Sequence, residues 1–254
     1  MTGPHRENAP FYPVSEVDIL SLSMILSIYS FRRTEKSTML HPTPYLPPVT
    51  SDVVIDVSHY ENVSQDFVIT AKAGVAAVIL KATQGTGFVD PTFLLRAAEA
   101  RAAGLLVGAY HFLDGSNPAE QTAHFLTVAV SEGMVNWLAL DWEPYPASQA
   151  NVMQAATAAA SIQAATAKWP VLYTIRSMLS APNITLSNCP LWLAEYGTRP
   201  ICPPGFAKWQ LWQHTDGRVG SAVVPVPGIG PCDRSRFAGT VDQLKAWWSS
   251  PTAS

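Results

Sequence analysis

Charge is scarce in this chain. Only 14% of its 254 residues are Asp, Glu, Lys or Arg, and together they leave a formal charge of -3. So weak a field gives no basic footprint for nucleic acid and no polybasic surface for anionic membranes. Cysteine is scarcer still. Cys189, Cys202 and Cys232 lack the paired spacing of a zinc site and are too few for a disulfide-dense secreted scaffold. One disulfide with a spare thiol and three free thiols both fit that number. No His/Cys/Asp cluster has metal-ligand spacing, so neither a metal nor another cofactor is expected. The G-K-[ST] phosphate loop, the G-x-S-x-G elbow and the Ser-His-Asp order are absent too, which removes P-loop and serine-hydrolase chemistry.

Long apolar runs are also missing. The segment Val17 to Phe31 comes nearest, but it is interrupted by serines and falls short of the roughly 20 residues a spanning helix needs, so stable membrane insertion is not expected. Glu16 and Asp18 flank its start and Arg32-Arg33 follows it, the reverse of the charge order in an export signal. Pro42, Pro44, Pro47 and Pro48 then form an extended linker. Residues 1–51 are therefore expected to be a disordered or loosely packed tail, with Met24 and Met39 as alternative starts. A single domain is expected over 52–249, with a short tail at 250–254.

What the sequence does have is apolar material, at 48% of residues, with eight Trp and eight Tyr. From Val53 onward, β-rich runs alternate with helical segments, the pattern of a parallel sheet wrapped by helices. Strands are expected at 53–57, 75–82, 105–112, 138–144 and 171–175. Helices are expected at 64–73, capped by Ser64, then at 92–103, from 117 to about 132, and at 148–168. Beyond Ile175 the helices shorten: 191–196 and 208–214 read as strands among Pro-rich loops, and a last helix covers 241–248. A closed barrel is the economical solution. In such barrels chemistry gathers at the C-terminal strand ends, and the polar residues fall there: Asp56, Lys81, Tyr110 with His111, Asp141 with Glu143, Glu195, and Gln213 with His214.

The stretch Leu138-Ala-Leu-Asp-Trp-Glu-Pro144 carries most of the chemical signal. Strand side chains alternate faces, so Asp141 and Glu143 point the same way, with Cα atoms about 6.6 Å apart. Two carboxyl groups on that scale can act on one glycosidic bond, one as proton donor and the other as nucleophile or charge partner.

Several motifs, in order, resemble glycoside hydrolase family 25, the Chalaropsis-type lysozymes. They are Asp56-Val-Ser-His-Tyr60, Ile79-Leu-Lys-Ala-Thr-Gln-Gly85 followed by Asp90, Gly108-Ala-Tyr-His-Phe112, Leu140-Asp-Trp-Glu143, Leu191-Trp-Leu-Ala-Glu-Tyr196, Leu211-Trp-Gln-His214 and Cys232-Asp-Arg-Ser-Arg-Phe237. His59, Gln84 and His214 depart from the usual family residues, and none of these departures removes a carboxylate. The resemblance implies an α/β fold, a TIM-like flattened (β/α)5(β)3 barrel. It also implies cleavage of the β-1,4 bond between N-acetylmuramic acid and N-acetylglucosamine in peptidoglycan, by a monomer acting on the cell wall in the periplasm or outside the cell.

On that basis Glu143 is the expected general acid. Asp56, Asp141 and Asp233 would raise its pKa by like-charge repulsion and keep it protonated. Asp141 is either a nucleophile or the group that orients the substrate's own 2-acetamido, and the resemblance leans to retention with acetamido participation. Asp56 and Asp233 would tune charge and hold substrate or water. Tyr110, Tyr173, Trp142, Trp192, Gln213, Lys81 and His111 complete the expected substrate-binding set, although core packing fits the tyrosines, and a structural hydrogen-bonding role fits His111, nearly as well. Two rivals are a non-catalytic peptidoglycan-binding module on this fold and a chitinase-like hydrolase. The chitinase pattern needs aspartates at 139 and 136, where this chain has Ala139 and Asn136.

Overall fold

The computed structural model describes residues 49–61, 65–130, 135, 137–221 and 223–251. β1 (Ser51–Val57) leads to α1 (Phe67–Lys72), then β2 (Ala77–Gln84), a short β3 (Phe88–Val89) and α2 (Phe93–Ala102). β4 (Leu106–Phe112), α3 (Pro118–Val130), β5 (Leu138–Trp142), α4 (Val152–Thr166) and β6 (Val171–Ile175) follow. The chain then runs through β7 (Leu191–Ala194), β8 (Leu211–Thr215), β9 (Asp233–Phe237) and α5 (Val241–Ser249).

Eight of these strands close into a barrel. β1, β2, β4, β5, β6, β7 and β8 pair in parallel. β9 runs antiparallel between β8 and β1 and seals the ring. β3 is only a hairpin partner of β2. The (β/α) units thin out as the sequence suggests: after β6 the crossover carries single 3₁₀ turns at Arg176–Met178 and Leu186–Asn188 in place of a long helix. The expectations for 1–48 and for the Ser64 cap lie outside the described residues. Instead, α1 is capped by Asp66, whose carboxylate accepts from the Ile69 N–H at 3.0 Å. In α4 a capping box of Asn151 and Gln154 sets the start, three residues later than Ser148.

Alternation divides most of the apolar residues between two large cores, beside a smaller cluster of Leu191, Leu193, Trp209 and Trp212. Outward positions such as Ile55, Val78, Leu80, Leu140 and Leu172 pack with Phe93, Phe125 and the alanine face of α4. Inward positions Val54, Ala77, Ile79, Ala139, Val171 and Leu211 fill the bore with Trp192 and Phe237. The bore's N-terminal end is closed by α5, whose Trp248 stacks on Trp137 with centroids 4.4 Å apart and planes at 9°. Gly108 faces this stack: a Cβ there would lie 2.5 Å from the Trp137 ring. Bulk therefore accumulates at one end of the barrel and leaves the other open to polar groups. No helix among the described residues is long and apolar enough to cross a membrane, and all three cysteines are free thiols.

Candidate active site

At the C-terminal end of the bore, inward alternation continues past the apolar layer and presents acids. Asp56 follows Val54 on β1, Asp141 follows Ala139 on β5, and Glu143 leaves the end of β5 on the same side. Because β9 is antiparallel, its first residue, Asp233, reaches this end too, where it is the register partner of Asp56. These four carboxylates line a cleft of about 180 Å³ with Tyr110, Tyr173, Trp192, Tyr196 and Gln213.

Gln213 organises one wall. Its Nε2 donates to Asp56 Oδ1 and Oδ2 at 3.0 and 3.2 Å, while its Oε1 accepts from the hydroxyls of Tyr173 and Tyr196, each at 2.9 Å. One side-chain amide thus fixes an acid and two phenols in a single orientation. Trp192 is held by its indole N–H on Ser235 Oγ at 2.9 Å and meets the Tyr173 ring edge-on at 4.7 Å.

Burial dominates the electrostatics. It lifts Asp56 well above the usual carboxylate range, and Asp233 adds to the shift against the Gln213 amide. Asp141, 7% exposed, is raised by burial and then by the negative charge of Glu143, with Lys81 opposing. Glu143 is raised by burial, again against Lys81. Burial is thus the leading cause of the Glu143 shift, and the like-charge repulsion between Asp141 and Glu143 is shared by the pair. Asp233 is pushed up to about 7 by burial, with Glu61, Asp216 and Glu143 contributing. The phenols of Tyr110 and Tyr173 are raised by burial beside these acids, so they remain protonated donors. Asp141 Oδ1 is buried and no group among the described residues donates to it, an expensive state for a carboxylate oxygen unless a substrate donor meets it.

Three expected binding residues do not line this cleft. Trp142 lies between Asp141 and Glu143, so the alternation that aims both acids inward turns it outward; its indole donates to the Ala150 carbonyl at 2.9 Å, within the outer core. His111, next to Tyr110, is likewise outward and fully buried. It sits between Thr83 Oγ1 at 2.7 Å and Gln121 Oε1 at 3.2 Å, and burial lowers it to about 4, so it stays neutral. Lys81 is buried at the rim, where Nζ donates to Gln84 Oε1 at 2.8 Å. The rings of Phe112, Phe88 and Tyr60 surround its charge at 4.8, 5.7 and 5.9 Å. It acts on Asp141 and Glu143 through space, without lining the cleft.

Two further contributors are Tyr196 and Glu61. Tyr196 belongs to the Leu191–Tyr196 motif, and its place one residue past a strand-end Glu is its one local signal. Glu61 adds negative charge to Asp56 and Asp233 while capping the turn at the Ser58 backbone N–H, and no local pattern marks it.

A model of the glycosyl hydrolases family 25 matches residues 55–222. The chain belongs to glycosyl hydrolase family 25. This family-25 glycoside hydrolase is 30% identical over 220 residues to Lysozyme M1 of Streptomyces globisporus, an alignment spanning 79% of this chain and 72% of that protein. Its barrel superposes on the bacterial lysozyme of Streptomyces coelicolor with a TM-score of 0.65 and 29% identity, covering 78% of this chain and 97% of the other. For the GH25 lysozyme of Aspergillus fumigatus the values are 0.66, 26%, 79% and 99%.

Proposed function

We propose that this hydrolase is a lysozyme that cleaves the β-1,4 bond between N-acetylmuramic acid and N-acetylglucosamine in the bacterial cell wall, with retention of configuration. The observation that carries the reading is the pairing of a partly buried acid, Glu143, with a buried carboxylate, Asp141, whose Oδ1 has no donor among the described residues. Glu143 gives its proton to the leaving glycosidic oxygen. Asp141 takes the N–H of the substrate's 2-acetamido group and turns its carbonyl oxygen onto the anomeric carbon, stabilising the positive charge that forms there. Tyr173, whose single O–H is given to Gln213, presents its phenol oxygen as an acceptor beside the same amide. Asp56 and Asp233 supply the surrounding negative field, which favours the oxocarbenium-like state over the neutral ground state. The ionised Glu143 then accepts a proton from the water that opens the intermediate. The enzyme works as a monomer on the cell wall.

Clearing of purified cell walls tests the reading. The wild-type protein lowers turbidity, and Glu143→Gln loses about 10²–10⁴-fold in rate, the usual span for a general acid. Full clearing by that variant would remove Glu143 from the acid role, and no clearing by the wild type would leave a binding module on this fold. Proton NMR of the first product reports stereochemistry: β appears first on retention, and α first would exclude the acetamido route.

A further inference from the structure

The inward faces of β6 and β7 continue beyond the cleft. Two residues past Tyr173 and Trp192, the register partners Ile175 and Ala194 floor a second groove of about 560 Å³. One flank carries Arg176, Ser177 and Ser180, and the other carries Glu195, which directly precedes Tyr196 of the cleft wall. Arg176 is exposed, and its guanidinium has no ion-pair or hydrogen-bond partner among the described residues. No ion pair joins it to Glu195 among the described residues; Glu195 Oε2 accepts from the Ile201 N–H at 2.7 Å. The groove thus offers an apolar floor, hydroxyls and one free fork of donors suited to a carboxylate.

We propose that this groove binds the peptide stem of the wall polymer, with Arg176 pairing to a stem carboxylate. The inference rests on the muramidase reading. In peptidoglycan the stem is attached through a lactyl ether at O3 of muramic acid, on the ring carbon next to the one that bears the acetamido group. With the acetamido against Asp141 and Tyr173, an O3 substituent directed along the β6 wall meets Ile175 and Arg176, two and three residues past Tyr173. An extended peptide with small apolar side chains and free carboxylates matches an apolar floor rimmed by a cation and hydroxyls. Bare chitin-like strands have nothing to place there, so the groove would make the enzyme selective for peptide-substituted glycan.

The test compares glycan strands that carry their stems with the same strands stripped by an amidase, the lactyl carboxylate this exposes being capped as a methylamide. Wild-type KM is expected to be about three- to tenfold lower on stem-bearing strands, as for one charge-assisted contact in a partly exposed groove. That advantage shrinks with added salt. Arg176→Ala removes the advantage, leaving kcat and the KM on stripped strands unchanged, and Arg176→Glu raises KM on stem-bearing strands further. An unchanged KM ratio in both variants overturns the proposal, as does an equal loss on the two substrates. Calorimetric titration of Glu143→Gln protein, with and without Arg176→Ala, with a soluble muramyl disaccharide-peptide reads the groove without turnover. Arg176-dependent binding in the absence of any clearing by the wild type would sink the muramidase reading and keep the groove. Clearing without Arg176 dependence would do the reverse.

Discussion

The two ends of the barrel bore are built by the same strands on the same alternation, yet they behave as opposites. At the N-terminal end, Trp137 and Trp248 stack face to face under Gly108, and the apolar inward layer lies directly above them. At the C-terminal end, two to four residues further along the same strands, four carboxylates are gathered in a small cleft and raised by burial. One end buries surface that gains from leaving water. The other buries charge, which costs stability and which the proposed hydrolysis puts to use. On the proposed mechanism, stability and activity separate by position along a strand.

The largest test of that separation is Glu143→Gln read by calorimetry beside the clearing assay. Activity falls by about 10²–10⁴-fold, while the melting temperature stays level or rises because one buried ionisable group is gone. A fall in melting temperature would mean that the acid also supports the fold. The converse is Trp248→Ala, which removes half of the ring stack. It should cost about 3–5 kcal/mol in denaturant unfolding, with kcat per folded molecule unchanged. Gly108→Ala crowds the same stack from above and should cost about 1–3 kcal/mol; a neutral result would show that the Trp137 ring can shift.

Asp233 sharpens the contrast through pH. Its folded pKa, about 7, lies above its ordinary value of 3.8, so the folded protein binds the proton more tightly than the unfolded chain. That stability is fully present below pH 3.8 and is lost as pH rises through about 7. Melting temperature should decline across this window, and Asp233→Asn should flatten the decline; an identical slope in the variant would assign it to other groups. The smallest effect is at the closed end. Ala167 ends α4 with φ at 60°, a left-handed conformation that disfavours a Cβ, and Ala167→Gly should gain about 1 kcal/mol.

Much of this was legible in the chain itself. The βα rhythm, the polar strand ends and the D-x-E spacing place Asp56, Tyr110, Asp141, Glu143, Tyr173, Trp192 and Gln213 on one side of a barrel, where they lie. The same alternation, applied one residue further, would have excluded Trp142 and His111, whose neighbours face inward. β9 was hidden because Asp-Arg-Ser-Arg-Phe has almost no apolar signal. Its inward positions are an acid, a serine that braces Trp192, and one phenylalanine, and a strand that closes a ring is identified by its partners more than by its own residues.

By itself the sequence determined everything that depends on local order: which residues can be strands, which side chains share a face, and which acids stand two apart. Tertiary closure decided the rest. It set Asp233 opposite Asp56 across 177 positions of chain, gave Gln213 two phenols and a carboxylate to hold, and enclosed Lys81 in a ring of aromatics. The reason is physical. A carboxyl's charge state is fixed by its desolvation and by the charges around it, and both exist only once distant strands meet.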